Sequence, residues 1–155
     1  MRKQNSAIST GALGLFIMQL GVTCLLPEHN VAAEGSQTVS DRRATVTLVP
    51  VRPRVGDVVR LPVTLRPIAG WKINTNSDIS IRLFPPGSVD ISKIQLKKSD
   101  AAIVTPLKVM FEIQFSLKSP SDVVIPGAIT ALICQLNGPE CDPRTIPFSI
   151  RAQSP

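Results

Sequence analysis

The chain has 155 residues, a formal net charge of +6, three cysteines, one histidine and no tyrosine. That length suits one domain around a single hydrophobic core. Beyond Lys3 the basic residues are scattered, with Arg42-Arg43 and Lys97-Lys98 the adjacent pairs, and the lack of a basic patch interleaved with aromatics argues against a nucleic-acid partner.

The first 33 residues read as an export signal. Arg2 and Lys3 form a positive n-region, and Gly11 to Leu26 forms an apolar core broken only by Gln19 and Thr23. A polar stretch, Pro27 to Asn30, precedes Val31-Ala32-Ala33, small residues of the kind signal peptidase cuts after. Cleavage is expected after Ala33, and the periplasm or another exported location follows from it. The apolar run is shorter than the roughly 20 residues that span a bilayer, which disfavours a retained anchor. Gly21-Val22-Thr23 before Cys24 makes a poor lipobox.

Cleavage narrows the chemistry. It removes Cys24 and the single histidine, His29, and leaves about 122 residues with a net charge of about +5. The remainder holds no imidazole base, no Ser-His-Asp triad and no histidine metal ligand. Two thiols alone make a weak case for zinc, so neither a metal nor a cofactor is expected. Cys134 and Cys141 remain, an even number in an oxidising compartment.

Residues 34–44 are polar and read as a loose leader. From there the pattern is β. Val59, Leu61, Val63 and Leu65 alternate with Arg60, Pro62, Thr64 and Arg66, and Ile79, Ile81 and Leu83 alternate with Ser80 and Arg82. The clearest run is Val109, Phe111, Ile113, Phe115 and Leu117, and Ile146, Phe148 and Ile150 repeat the pattern near the end. Alternation of period two marks strands with one buried face. Weaker runs at 45–51, 71–74, 89–96 and 128–136 bring the expectation to about eight strands, punctuated at Pro67, Gly70, Pro85-Pro86-Gly87, Pro120 and Pro126-Gly127. No stretch carries a helical stripe. The expected fold is an all-β, immunoglobulin-like β-sandwich, with Pro62 and Pro147 inside strand-like runs pointing to edges or bulges.

The last distinctive segment runs Ile129 to Pro147. An apolar run ends at Cys134, the turn cluster Asn137-Gly138-Pro139 follows, and Cys141 opens the return. A hairpin is expected, with the two sulfurs facing each other across its mouth. A bridge enclosing about eight residues is worth roughly 2.5 kcal/mol by loop closure, against about 4.7 for a loop of 100. A short loop therefore invites a redox reading, although exported domains also use local disulfides as staples. Glu140 and Asp142 flank Cys141 and disfavour its thiolate, which places the pair on the reducing side unless Arg144 offsets them.

Two segments together resemble the family of N-terminal periplasmic domains of the protein-disulfide reductase DsbD. Gly70-Trp71-Lys72-Ile73-Asn74 resembles the family's Gly-aromatic-x-aliphatic-Asn motif. Cys134 and Cys141, with six residues between them and followed by Asp142-Pro143 and Ile146-Pro147-Phe148, resemble its cysteine hairpin. The resemblance spans roughly residues 45 to 151. It implies an immunoglobulin-like domain whose Cys134–Cys141 pair shuttles electrons by thiol–disulfide exchange, as a component of a protein-disulfide reductase system. Trp71 and Asn74 would support the site, or serve only as a core aromatic and a turn amide. Asp142-Pro143-Arg144 stands where many members carry a second proline. The full reductase continues into a membrane electron carrier and a thioredoxin-like domain. The implied partners are therefore separate thioredoxin-fold or other periplasmic dithiol proteins, with a membrane redox partner among them. The competing expectation is a non-catalytic sandwich that binds a protein partner and keeps a structural disulfide.

Overall fold

The computed structural model describes residues 35–154, so the export segment 1–33 and its cleavage point lie outside the described residues. Eleven strands run in order as β1 (Gln37–Ser40), β2 (Ala44–Leu48), β3 (Val59–Pro67), β4 (Trp71–Ile73), β5 (Ser80–Leu83), β6 (Val89–Ile91), β7 (Gln95–Lys97), β8 (Ala101–Thr105), β9 (Lys108–Leu117), β10 (Val123–Gln135) and β11 (Cys141–Ala152). The remaining regular element is one 3-10 turn at Lys98–Asp100. One sheet has the order β1-β2-β3-β9-β6, with β8 also on β9; the other has β11-β10-β5-β7, with β4 on β10. The two sheets form an all-β sandwich. Their partition, with the two-strand hairpin β10–β11 beside β5 and the ribbon β2-β3-β9 opposite, is the immunoglobulin-like one.

The alternating runs bury one face each. Along β9 Val109, Phe111, Ile113, Phe115 and Leu117 are buried, and on β3 Leu61, Val63 and Leu65 are. They meet Ile81, Leu83, Ile125, Ile129, Ile133, Ile146, Phe148 and Ile150 in one cluster. No buried residue among those described is polar or charged. Each such side chain contributes about 1.5–3 kcal/mol on burial, so the sandwich is held by apolar contact between the sheets.

The expected and observed strands differ for physical reasons. The run 89–96 is two strands, because the chain changes sheets at Ser92-Lys93: β6 pairs with β9 and β7 with β5. The leader 34–44 is not loose throughout, since β1 pairs with β2 from Gln37↔Leu48 to Ser40↔Thr45 and Ala44 is fully buried. β8 carries no alternation and is half-buried, yet it closes a hairpin on β9. Pro126-Gly127 does not punctuate two strands but lies within β10. A Cβ on Gly127 would lie 2.7 Å from the Phe148 ring and 2.9 Å from Leu83, so glycine here clears space for core packing rather than turning the chain.

The prolines sit where the ladder can spare a donor. The last β2 partner along β3 is Thr64, which leaves Pro62 with an open flank. Pro143 and Pro147 lie on β11, the edge of its sheet. Gln135 N–H donates to Glu140 O at 2.8 Å. By alternation the pairs Cys134↔Cys141, Leu132↔Pro143 and Ala128↔Pro147 are then of the non-hydrogen-bonded kind, and both proline nitrogens face away from β10.

Candidate functional site: the cysteine hairpin and its ion-pair network

β10 and β11 pair without a break from Val123↔Ala152 to Cys134↔Cys141. The cysteines are the last pair of this ladder, with Cα atoms 4.0 Å apart and a disulfide between them. Cross-strand partners share a face. Ile125, Ile129 and Ile133 point into the core, so the disulfide lies on the outer face of its sheet, and neither sulfur belongs to the apolar cluster. Cys134 is only 5% exposed, while Cys141 is exposed.

The loop beyond is built from local bonds. Besides the Gln135–Glu140 backbone bond, Gln135 Nε2 donates to Glu140 Oε2 at 3.0 Å. A Cβ on Gly138 would meet Gln135 Oε1 at 2.0 Å, so Gly138 leaves room for that side chain to reach Glu140. Leu136 N–H donates to Gly70 O at 2.8 Å and ties the loop to the turn before β4.

That turn explains the Gly-Trp motif. Trp71 N–H donates to Ile68 O at 3.1 Å, and Gly70, at the third position, has φ +85°. Glycine takes that conformation without the steric cost other residues meet. β4 then pairs with β10 through Trp71↔Gln135, Lys72↔Cys134 and Ile73↔Ile133. Trp71 is half-buried and lies on the inner face, not deep in the core. Asn74 is a turn amide: its Oδ1 accepts from Asn76 N at 3.0 Å, its N–H donates to Leu132 O at 2.9 Å, and its carbonyl accepts from Ser77. Of the two motif residues, Asn74 lies beside the cysteines and Trp71 does not. Lys72, Asn74, Thr75, Asn76, Pro106 and Gly138 surround a hollow of about 380 Å³ whose wall includes Cys134 and Cys141.

The charges around Cys141 are paired. Arg43, from the turn between β1 and β2, donates to Glu140 Oε1 and lies 3.2 Å from Asp142 Oδ2. Its guanidinium stacks 4.1 Å from the centroid of the Trp71 ring. Arg144 donates to Asp142 at 3.2 Å and to Asp41 Oδ2. Asp41 spends its other oxygen on the turn itself, accepting from Arg43 N–H at 3.1 Å. The hydrogen bond from Arg144 holds the Asp41 carboxyl below its ordinary value and raises Arg144 in return.

This arrangement bears on two features of the sequence. Arg43, one of the adjacent basic pair, is the centre of a network joining the two sheets. Glu140 and Asp142 do not stand beside Cys141 as unopposed negative charges, because Arg43 contacts both and Arg144 contacts one. No sequence signal near either cysteine points to Arg43, which lies 97 residues before Glu140. Among the described residues no group of three or more His, Cys, Asp or Glu side chains is placed to hold a metal ion. No helix there is long and apolar enough to cross a membrane.

The site offers one accessible sulfur, one shielded sulfur bonded to it, and fixed charges at the strand that carries the accessible one.

No known family model matches the chain, and no curated protein matches it in sequence. Among solved structures it is similar to the GAE domain of GGA2p from Saccharomyces cerevisiae, at a TM-score of 0.44 and 10% identity over 75% of this chain and 97% of that domain.

Proposed function

We propose that the protein is an exported thiol–disulfide exchange module of the kind represented by the N-terminal periplasmic domain of DsbD. In this reading the Cys134–Cys141 pair passes electrons between periplasmic partner proteins. The observation that carries it is the placement of the disulfide: it closes a ladder already zipped from Val123 to Ile133, outside the apolar core, with Cys141 exposed. The bridge closes only a short loop, and the residue that carries its outer sulfur is exposed.

The exchange balances as follows. In the reduced domain the Cys141 thiolate attacks one sulfur of a partner disulfide, and the partner's other sulfur leaves as a thiolate. Cys134, deprotonated, then attacks Cys141 Sγ, the intermolecular bond breaks, and the partner departs as a dithiol. The domain has lost two electrons and holds the Cys134–Cys141 disulfide. A second partner carrying a dithiol, a thioredoxin-fold protein or a membrane redox carrier, restores it by the reverse steps. Cys141 forms the mixed disulfide in both directions, and Cys134 resolves or leaves. The export signal cleaved after Ala33 supplies the compartment, Asn74 lines the hollow beside the pair, and Trp71 supports the site through its contact with Arg43.

Trapping tests this reading. Cys134→Ala, which removes the resolving thiol, is expected to accumulate a mixed disulfide with a periplasmic partner on non-reducing gels, and Cys141→Ala far less. Absence of any trapped partner from both variants, with the wild-type pair oxidised in cells, sinks the proposal.

A specific observation also favours a second reading, a binding module with a structural disulfide. The bridge borders a loop whose Glu140 is fastened to Arg43, so it could serve to hold that loop in shape. The reduction potential separates the two: a value below about −300 mV marks a staple, and one near −270 mV keeps exchange open.

A further inference from the structure

We infer that Arg43 is a positioning residue for the exchange chemistry, acting on the Cys141 thiol through the two carboxylates that flank it. The inference rests on the exchange reading above for its purpose, though not for its test. Glu140 and Asp142 adjoin Cys141 in sequence, and each unopposed carboxylate there would raise the thiol pKa and deplete the thiolate that attacks. Arg43 meets both carboxylates with one guanidinium, through Glu140 Oε1 and Asp142 Oδ2.

Three features make Arg43 a fixed counter-charge rather than a passing surface pair. Its side chain is 20% exposed. Its guanidinium plane is held against the Trp71 ring at 4.1 Å. Its carbonyl accepts from Ile68 N at 2.9 Å, which anchors the turn that presents it. A lysine could not meet two carboxylates and a ring face with the same planar fork. Trp71 thereby acquires a role beyond packing, as the platform on which this arginine rests.

The charged groups around the mouth of the hairpin come from three elements. Glu140, Asp142 and Arg144 belong to its own strand and loop. Asp41 and Arg43 arrive from the turn between β1 and β2, and Lys72 lies on β4 opposite Cys134. Arg144 divides its bonds between Asp142 and Asp41, which leaves Glu140 with Arg43 as its cationic partner. Loss of Arg43 therefore frees the Glu140 charge outright, and that of Asp142 in part.

The test follows the rate of thiol alkylation against pH in the single-cysteine protein Cys134→Ala, with and without Arg43→Gln. The midpoint is expected to rise by about half a unit to one unit when Arg43 is lost. A full unit cuts the thiolate about tenfold below the midpoint. The greater intrinsic reactivity of the more basic thiolate recovers part of this, so the rate at pH 7 falls about threefold. Adding Glu140→Gln and Asp142→Asn to Arg43→Gln should return the midpoint to its starting value. Arg43→Lys should restore it in part, and Arg60→Gln, which touches only the distant Glu112 pair, should leave it unmoved. Circular dichroism confirms that each variant is folded. If Arg43→Gln misfolds, the Glu140→Gln, Asp142→Asn pair in the Arg43 background carries the test in its place, with a midpoint at or below the starting value expected. An unchanged midpoint in folded Arg43→Gln overturns the inference while leaving the exchange proposal standing. So does a rise that removing the carboxylates fails to reverse. A shifted midpoint with no partner trapped overturns the exchange proposal and leaves the electrostatic assignment intact.

Discussion

The two halves of the β10–β11 ladder are held by different forces. From Val123 to Ile129 it is an apolar structure: Ile125 and Ile150 are fully buried, and the Phe148 ring lies over Gly127 where any Cβ would collide. From Ala131 to Cys141 the inner positions Ala131 and Ile133 still reach the core, but their partners are Arg144 and Asp142, the ladder ends in a covalent bond, and Arg43 and Trp71 add charged and ring contacts. The first half depends on water exclusion, which neither reductant nor salt removes. The second adds ion pairs and a disulfide to its apolar contacts. A redox or binding site is best kept on such a half, where its state can change without cost to the fold.

The sharpest way to probe the division is to damage the apolar half. Phe111 is fully buried at the centre of β9, and Phe111→Ala is expected to cost about 3–5 kcal/mol in urea unfolding. That loss should be the same with the disulfide intact or reduced. A cost that depends strongly on reductant breaks the comparison.

Next in size is the sulfur bond itself. The Cys134→Ser, Cys141→Ser double variant is expected to lose about 2–3 kcal/mol by loop closure against a total of about 5–15 for a domain. It should retain a β-type circular dichroism spectrum and a cooperative melt. Complete unfolding at room temperature would place the bridge among the elements that hold the fold and strengthen the staple reading.

The smallest effect is electrostatic and depends on pH. Asp41 has its folded-state pKa held below the ordinary 3.8 by Arg144, so its contribution is fully present above that value and is lost as pH falls through the lowered one. The Tm difference between wild type and Asp41→Asn should be constant from neutral pH down to mildly acidic conditions and shrink in strong acid. The carboxylate is only partly shielded, so the difference stays below that of the disulfide variant and diminishes with added salt. A gap that widens toward acid would contradict the assignment.

What could be read from the sequence follows the same division. The alternation from Val109 to Leu117 encoded a strand whose five odd positions are all buried, because period two is local information. The hairpin and its facing sulfurs were legible from Asn137-Gly138-Pro139, again a local signal. β1 was not, because Gln37–Ser40 is a short polar edge strand that gains its structure only from β2. Gly127 looked like a turn because glycine serves both turns and tight packing, and only the position of Phe148 decides between them. Arg43 was illegible for a different reason. Its partners are spread over the β10–β11 loop, β11 and β4, and nothing in the residues beside it records that the turn ends against them.

The prolines of β11 have a consequence for how the molecule meets its own copies. Along the outward edge the donors fall at Cys141, Pro143, Thr145 and Pro147, and two of those four positions have no N–H to give. At the far end of the same edge, the chain after β2 already covers it through the parallel bridge of Val51 to Ala152. An incoming strand would find acceptors but too few donors to build a continuous ladder, so open-ended edge-to-edge growth is blocked at the flank nearest Cys141. A protein with an exposed disulfide cysteine at the end of an edge strand is thereby kept from lining up with its own copies along that edge.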